Sequence, residues 1–253
     1  MKKVLALVLA AVLIASVAIL PGCSGSGDSA KKFAIYSDNA FAPFEFLDKE
    51  TNEYIGVDMD IMAAVAKDQG FEYEMHNEGF DAAMGAVQSG QADAMIAGMT
   101  ITDERKETFD FSAPYFDDGQ VVVVKPDSDI KKLADLKGKK IACKTSTVSG
   151  EYAESIKDKY GFTIDYFEGS DTMYQAVVTG SADACVEDFS VIGWAIESEK
   201  VGLKILTEPV NVKGYGFAVK NGQNAELLKM FDDGLANIKK SGEYKKILAK
   251  YGY

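Results

Sequence analysis

The chain has 253 residues, 47% of them hydrophobic and 26% charged, and carries a formal charge of −12 at pH 7. So acidic a chain repels nucleic acid and anionic lipid, and no basic block offsets it, so nucleic acid is excluded as a partner. The aliphatic and aromatic content is that of a globular protein, which excludes disorder over most of the length.

Residues 1–22 read as processing sequence. Lys2 and Lys3 precede an apolar run from Val4 to Leu20, and about 17 apolar residues is at the short limit for crossing a bilayer. Leu20-Pro21-Gly22-Cys23 resembles a bacterial lipoprotein signal. That resemblance implies cleavage before Cys23, acylation of Cys23, and an extracytoplasmic protein that meets the membrane only through its lipid. Ser24 to Ser29, within residues 23–31, reads as a flexible polar tether. Loss of residues 1–22 removes two lysines and takes the charge from −12 to −14.

The elements then alternate. Strands are predicted over Phe33 to Ser37, Phe71 to Asn77 and Ala92 to Ala97, with helices over Asp58 to Asp68 and Asp81 to Ser89 between them. A second series follows: strands Lys140 to Lys144, Thr163 to Phe167 and Ala182 to Glu187, helices Val148 to Lys159, Asp171 to Thr179 and Phe189 to Ser198. The two series share a repeat. Gly79 to Ala94, GFDAAMGAVQSGQADA, aligns without a gap to Gly169 to Ala184, GSDTMYQAVVTGSADA, with about half the residues identical. In each copy a glycine, Gly90 or Gly180, stops the helix.

Such alternation implies an α/β fold of two lobes with mainly parallel sheets covered on both faces. Gly119 to Val124 reads as an extended crossing from one lobe to the other, and Lys213 to Val219 as the return. Helices Asn224 to Lys240 and Glu243 to Lys250 complete the first lobe. The expected division is 32–118 with 215–253 in lobe 1 and 119–214 in lobe 2, with hinges near 117–124 and 210–217. A ligand then lies between strand ends, and hinge closure is the expected motion.

Residues at or beyond those strand ends form the candidate site: Asp38 and Phe41, Phe80, Gly98 and Thr100, then Lys144, Glu187 and Asp188, with Ala97 and Val148 counted beside them. Arg105, the sole arginine, follows on a turn rich in Thr and Asp. Arginine grips carboxylates bidentately, although pairing with Glu104 or Glu107 is the plainer alternative. Both charge signs with two aromatic faces suit a small zwitterion, such as an α-amino acid. Asp58 reads as a helix N-cap, Asp93 and Asp183 as turn residues, Phe44 and Phe46 as core. His76 reads as a surface residue on the polar side of its strand. Cys143 and Cys185 read as buried small residues whose pairing stays open, and neither has metal-ligand spacing. No metal or cofactor is expected.

Asp38-Asn39-Ala40-Phe41-Ala42-Pro43-Phe44-Glu45-Phe46, Gly56-Val57-Asp58-Met59-Asp60, Ala97 to Arg105, Phe109-Asp110-Phe111-Ser112 and Ala182-Asp183-Ala184 together carry a resemblance. From Phe33 onward the chain resembles the polar amino-acid solute-binding proteins of ABC importers, glutamine binders above all. The resemblance implies a periplasmic-binding-protein-like fold, a monomer, and delivery of the ligand to importer membrane subunits. It further implies that Arg105, the Thr100 backbone and the amides near Val148 bind the α-carboxylate. Asp188, the Gly98 carbonyl and the Thr100 hydroxyl would hold the ammonium, and Phe41 and Phe80 would sandwich the side chain. Asp38 and Lys144 would reach its polar end, which suits glutamine. Two departures stand out. Lys144-Thr145-Ser146-Thr147-Val148 lacks the usual glycine-rich turn, and Glu187 replaces a histidine of well-matched glutamine binders. If Glu187 faces the cleft, arginine or lysine becomes the next ligand class; otherwise it faces solvent or a backbone partner. The chain is read as a binding protein and not an enzyme. Some members of this fold resemble prephenate or arogenate dehydratases, with Glu187 as the acid, and a sensing receptor without transport is a further alternative.

Overall fold

A computed structural model describes residues 32–253; the signal segment, Cys23 and the tether lie outside the described residues. In chain order the elements are β1 (Phe33–Ser37), β2 (Ala40–Phe41), β3 (Glu45–Leu47), β4 (Tyr54–Ile55), α1 (Val57–Gln69), β5 (Tyr73–Asn77), α2 (Phe80–Ser89), β6 (Ala94–Met95), β7 (Phe109–Phe111) and β8 (Phe116–Val124). There follow β9 (Lys140–Lys144), α3 (Val148–Tyr160), β10 (Thr163–Phe167), α4 (Ser170–Thr179), β11 (Ala184–Asp188), α5 (Phe189–Glu197), β12 (Lys204–Ile205), β13 (Val210–Tyr215), β14 (Ala218–Lys220), α6 (Ala225–Ser241) and α7 (Glu243–Lys250).

One sheet runs β5, β1, β6, β14, β7 and a second runs β10, β9, β11, β8, β12, with β13 paired to β8. The sheets are mixed rather than mainly parallel. β1 pairs parallel with β5 and β6, and β9 with β10 and β11, but every pairing of β8 or β14 is antiparallel. The cause is connectivity: strands entering from outside the βαβ units need no helical crossover and can run either way. Both sheets are covered on two faces. Along β8, Val121 and Val123 pack with Ala142 and Cys185, whereas Val122 and Val124 pack with Ile141 and Cys143. Alternation of this kind is the period-2 geometry of a strand buried on both sides.

The repeat folds as expected into α2 and α4, ten residues each, ended by left-handed Gly90 (φ 80°) and Gly180 (φ 83°). The predicted strand Ala92 to Ala97 shortens to Ala94–Met95. Before it, the Asp93 carboxylate replaces a strand partner by accepting the Ala34 N–H at 2.9 Å; after it, Gly98 (φ +51°) turns the chain away. Asp183 does the equivalent for the Lys140 N–H at 2.9 Å. The small sheet β2, β3, β4 was not predicted, because its strands are too short to show a period.

Three single-residue expectations change. Asp58 is no cap: Gly56 occupies that position and Asp58 is fully buried in the first turn. His76 is half-buried, stacked on Tyr36 at 4.7 Å, because β5 pairs with β1 along its whole length and brings the two rings side by side. Phe44 is core, but Phe46 is only partly buried, 6.1 Å from Trp194. Among the described residues no helix is long and apolar enough to cross a membrane.

Candidate functional site

The carboxyl ends of β1, β6, β9 and β11 meet around a small cavity. All eleven residues singled out from the sequence line it: Asp38, Phe41, Phe80, Ala97, Gly98, Thr100, Arg105, Lys144, Val148, Glu187 and Asp188. Thr147, which sequence reasoning passed over, lines it as well. Its signal was available. A threonine just before a helical run is an N-cap candidate, and Thr147 Oγ1 accepts the Gly150 N–H at 3.1 Å while donating to the Lys144 carbonyl at 2.8 Å.

Arg105 opens a 3-10 turn and is half-buried. Thr102 Oγ1 caps that turn by accepting the Arg105 N–H at 3.1 Å. The guanidinium donates to two carbonyls from opposite sides of the cavity, Thr100 at 2.8 Å and Ser146 at 2.9 Å. Among the described residues it makes no ion pair within 4.0 Å, so neither Glu104 nor Glu107 holds it. Burial pushes its pKa down, and Glu151, Asp188 and Glu104 oppose that at longer range. A cation so placed favours an incoming carboxylate. Its carbon Cζ also lies 5.4 Å from the Phe80 ring.

Asp188 is held by three donors. Oδ1 accepts from Ser149 Oγ at 2.8 Å and Gln120 Nε2 at 3.2 Å, and Oδ2 accepts from the Tyr215 hydroxyl. Gln120 and Tyr215 sit on the paired strands β8 and β13, so this carboxylate is tied to both segments that join the two sheets. Asp118, on β8, accepts the Ser190 N–H at 3.0 Å and lies 3.3 Å from the Tyr215 hydroxyl oxygen. Burial, then the nearby Asp188, raises its pKa to about 7.

At the other end, Lys144 Nζ forms a direct ion pair with Asp38, both side chains being only 2% exposed. The ammonium also stands 5.0 Å from the Phe41 ring and 6.0 Å from the Phe80 ring. Phe41 packs so closely on Gly98 that a Cβ there would come within 2.4 Å of the ring. Only glycine satisfies that approach together with φ +51°.

Glu187 lines the cavity and does not face solvent, but it also has the backbone partner that the alternative allowed. Oε2 accepts from Ser170 Oγ at 2.7 Å and the Tyr174 hydroxyl at 3.0 Å, and Oε1 from the Asp188 N–H at 2.9 Å. Burial, then the Asp188 charge, raises its pKa to about 7. The alternation of β11 alone could not decide this, because a strand buried on both faces has no solvent side.

Residues 33–253 match the model for bacterial extracellular solute-binding proteins, family 3. The chain belongs to that family. A probable histidine-binding protein of Neisseria gonorrhoeae is 34% identical over 254 residues, covering 96% of this solute-binding protein and 94% of that one. Among solved structures, the arginine-, lysine-, histidine-binding protein ArtJ of Geobacillus stearothermophilus is 35% identical, with a TM-score of 0.80 over 88% of this chain and 95% of that one. Substrate binding domain 2 of Lactococcus lactis GlnP, in an open conformation, is 41% identical over 88% and 96% of the two chains, at a TM-score of 0.63.

Proposed function

We propose that this solute-binding protein captures one polar L-amino acid in the cavity by hinge closure and hands it to the membrane subunits of an ABC importer. It would work outside the cytoplasm, as a monomer anchored through acylated Cys23. The observation that carries the ligand class is the placement of Arg105, a half-buried guanidinium without a carboxylate partner among the described residues, in the same cavity as Asp188. One suits an α-carboxylate and the other an α-ammonium. The N-terminal amides of α3 would assist at the carboxylate.

Contacts across the cavity support a closed state. Asp38 after β1 pairs with Lys144 on β9, and Arg105 reaches the Ser146 carbonyl. The lower TM-score against the more similar but open GlnP domain is what a rigid rotation between sheets produces.

For the side chain, glutamine leads, followed by arginine or lysine. A carboxamide takes a donor, Lys144, and an acceptor, Asp38, without disturbing their charge balance. It also tolerates a neutral Glu187, which a carboxyl with a pKa near 7 supplies at little cost. A cationic side chain would instead use ionised Glu187 against Lys144 and Asp38, and ArtJ shows that this fold can serve such ligands. A thermal-shift screen of the twenty amino acids tests the assignment. Glutamine should give the largest upward shift, since a ligand at about 100 times its Kd stabilises the fold by about 2.7 kcal/mol. A response confined to arginine and lysine would move the ligand to the second class, and no response to any would overturn the reading.

A further inference from the structure

Among the described residues, three buried side-chain oxygens without a hydrogen-bond donor belong to two neighbouring carboxyls: both oxygens of Glu45 and Oδ1 of Asp58. Neither residue lines the cavity, and both are fully buried. Their approach is built into the backbone. Gly56 lets the start of α1 lie against the Phe44–Glu45 segment, where a Cβ would stand 2.0 Å from the Phe44 carbonyl oxygen. The Val57 and Asp58 N–H groups then donate to the Pro43 and Phe44 carbonyls at 2.9 and 3.0 Å.

Asp58 Oδ2 accepts two donors, the Gly98 N–H and the Tyr115 hydroxyl, each at 2.8 Å. Asp58 Oδ1 and both Glu45 oxygens have no donor, and the two carboxyls are near enough to share one hydrogen bond. Ionised carboxylates only accept, so a bond between the two needs a proton on one of them. The groups facing Glu45 indicate which. Burial, Asp58 on α1 and Asp38 after β1 all oppose its ionisation, and only Lys144 on β9 favours it. Tyr115, just before β8, is the remaining titratable neighbour, and its proton already goes to Asp58.

We infer that Glu45 is held as a neutral acid donating to the Asp58 carboxylate, and that this proton-sharing pair positions Gly98 at the rim of the cavity. The Gly98 N–H binds the pair, its Cα is covered by the Phe41 ring, and Thr100 two residues on accepts from Arg105. The pair therefore sets one backbone segment on which three cavity residues depend. The effect on a ligand rests on the amino-acid reading above; the shared proton does not.

Infrared spectroscopy at pH 7 on the protein and on Glu45→Gln tests the proton, and titration calorimetry with glutamine, arginine and lysine tests the positioning. The protein should show the carbonyl band of a protonated carboxylic acid that Glu45→Gln has lost. Glu45→Gln, whose amide still donates to Asp58, should keep its affinity within about twofold, whereas Asp58→Ala should lose about tenfold or more. An identical acid band in both proteins overturns the shared proton, whether or not Asp58→Ala folds. Parental affinity in a folded Asp58→Ala overturns the positioning role. If the parent binds none of the three amino acids, the functional reading fails while the band still decides the state of Glu45.

Discussion

In the proposed function, Arg105 and Glu187 divide the recognition problem between them. Arg105→Ala removes a charge-assisted contact inside the cavity and is expected to cost about 3 to 4 kcal/mol of binding, two to three orders of magnitude in Kd. Calorimetry against the best ligand reads this directly, and the melting temperature of the unliganded protein should change little. Glu187 sets a pH dependence that depends on the ligand. Its pKa near 7 means that ionised Glu187 grows in from pH 6 to pH 8. Arginine or lysine affinity should therefore rise relative to glutamine affinity over that interval, and Glu187→Gln should flatten the ratio. A ratio that does not move with pH in the parent would take Glu187 out of side-chain selection.

At the scale of elements, the N-terminus of α3 and the alternation of β8, β9 and β11 carry separate expectations. Thr147→Ala removes the cap of α3 and should cost about 1 kcal/mol of stability, with weaker binding because Thr147 and Val148 line the cavity. Cys143 and Cys185 lie on adjacent strands but on opposite faces of one sheet, so they cannot pair without a register slip. Both are free thiols, and burial pushes Cys143 up to about 12 and raises Cys185 well above the usual thiol range. Alkylation should label neither in the native protein and both after unfolding, and reductant should leave the melting temperature unchanged.

This is also the scale at which the sequence was most and least legible. α2, α4 and the strands after them were readable because helical spacing, a stop glycine and an apolar run agree in both copies of the repeat. The mixed character of the sheets was not, since strand direction follows from connections that leave no local pattern. The cavity residues were legible as strand ends, yet the groups that hold them were not. Gln120, Ser149 and Tyr215 around Asp188, or Ser170 and Tyr174 around Glu187, are ordinary residues on distant segments until the fold brings them together. The burial of Asp58 was missed for a related reason: an aspartate in a first helical turn looks like a cap whether it faces solvent or core.

Across the whole molecule, buried carboxyls govern the response to pH. Asp58, Asp118 and Glu187 have pKa values raised to about 7 in the folded protein, from ordinary values of 3.8, 3.8 and 4.5. Between about pH 4 and pH 7 the folded state thus binds more protons than the unfolded state, and unfolding free energy falls as pH rises through that window. Urea unfolding of the unliganded protein should show lower stability at pH 8 than at pH 5, and equal stability would contradict the burial of these groups. A ligand ammonium beside Asp188 should offset part of the loss.

Capture of an amino acid by Arg105 and Asp188 is the central claim, and titration calorimetry of the protein and of Arg105→Ala with glutamine, arginine and lysine tests it most directly. The account predicts one-to-one binding of at least one of the three, weakened two to three orders of magnitude by the substitution. Binding unchanged in Arg105→Ala, or no binding of any of them to the parent, would contradict it.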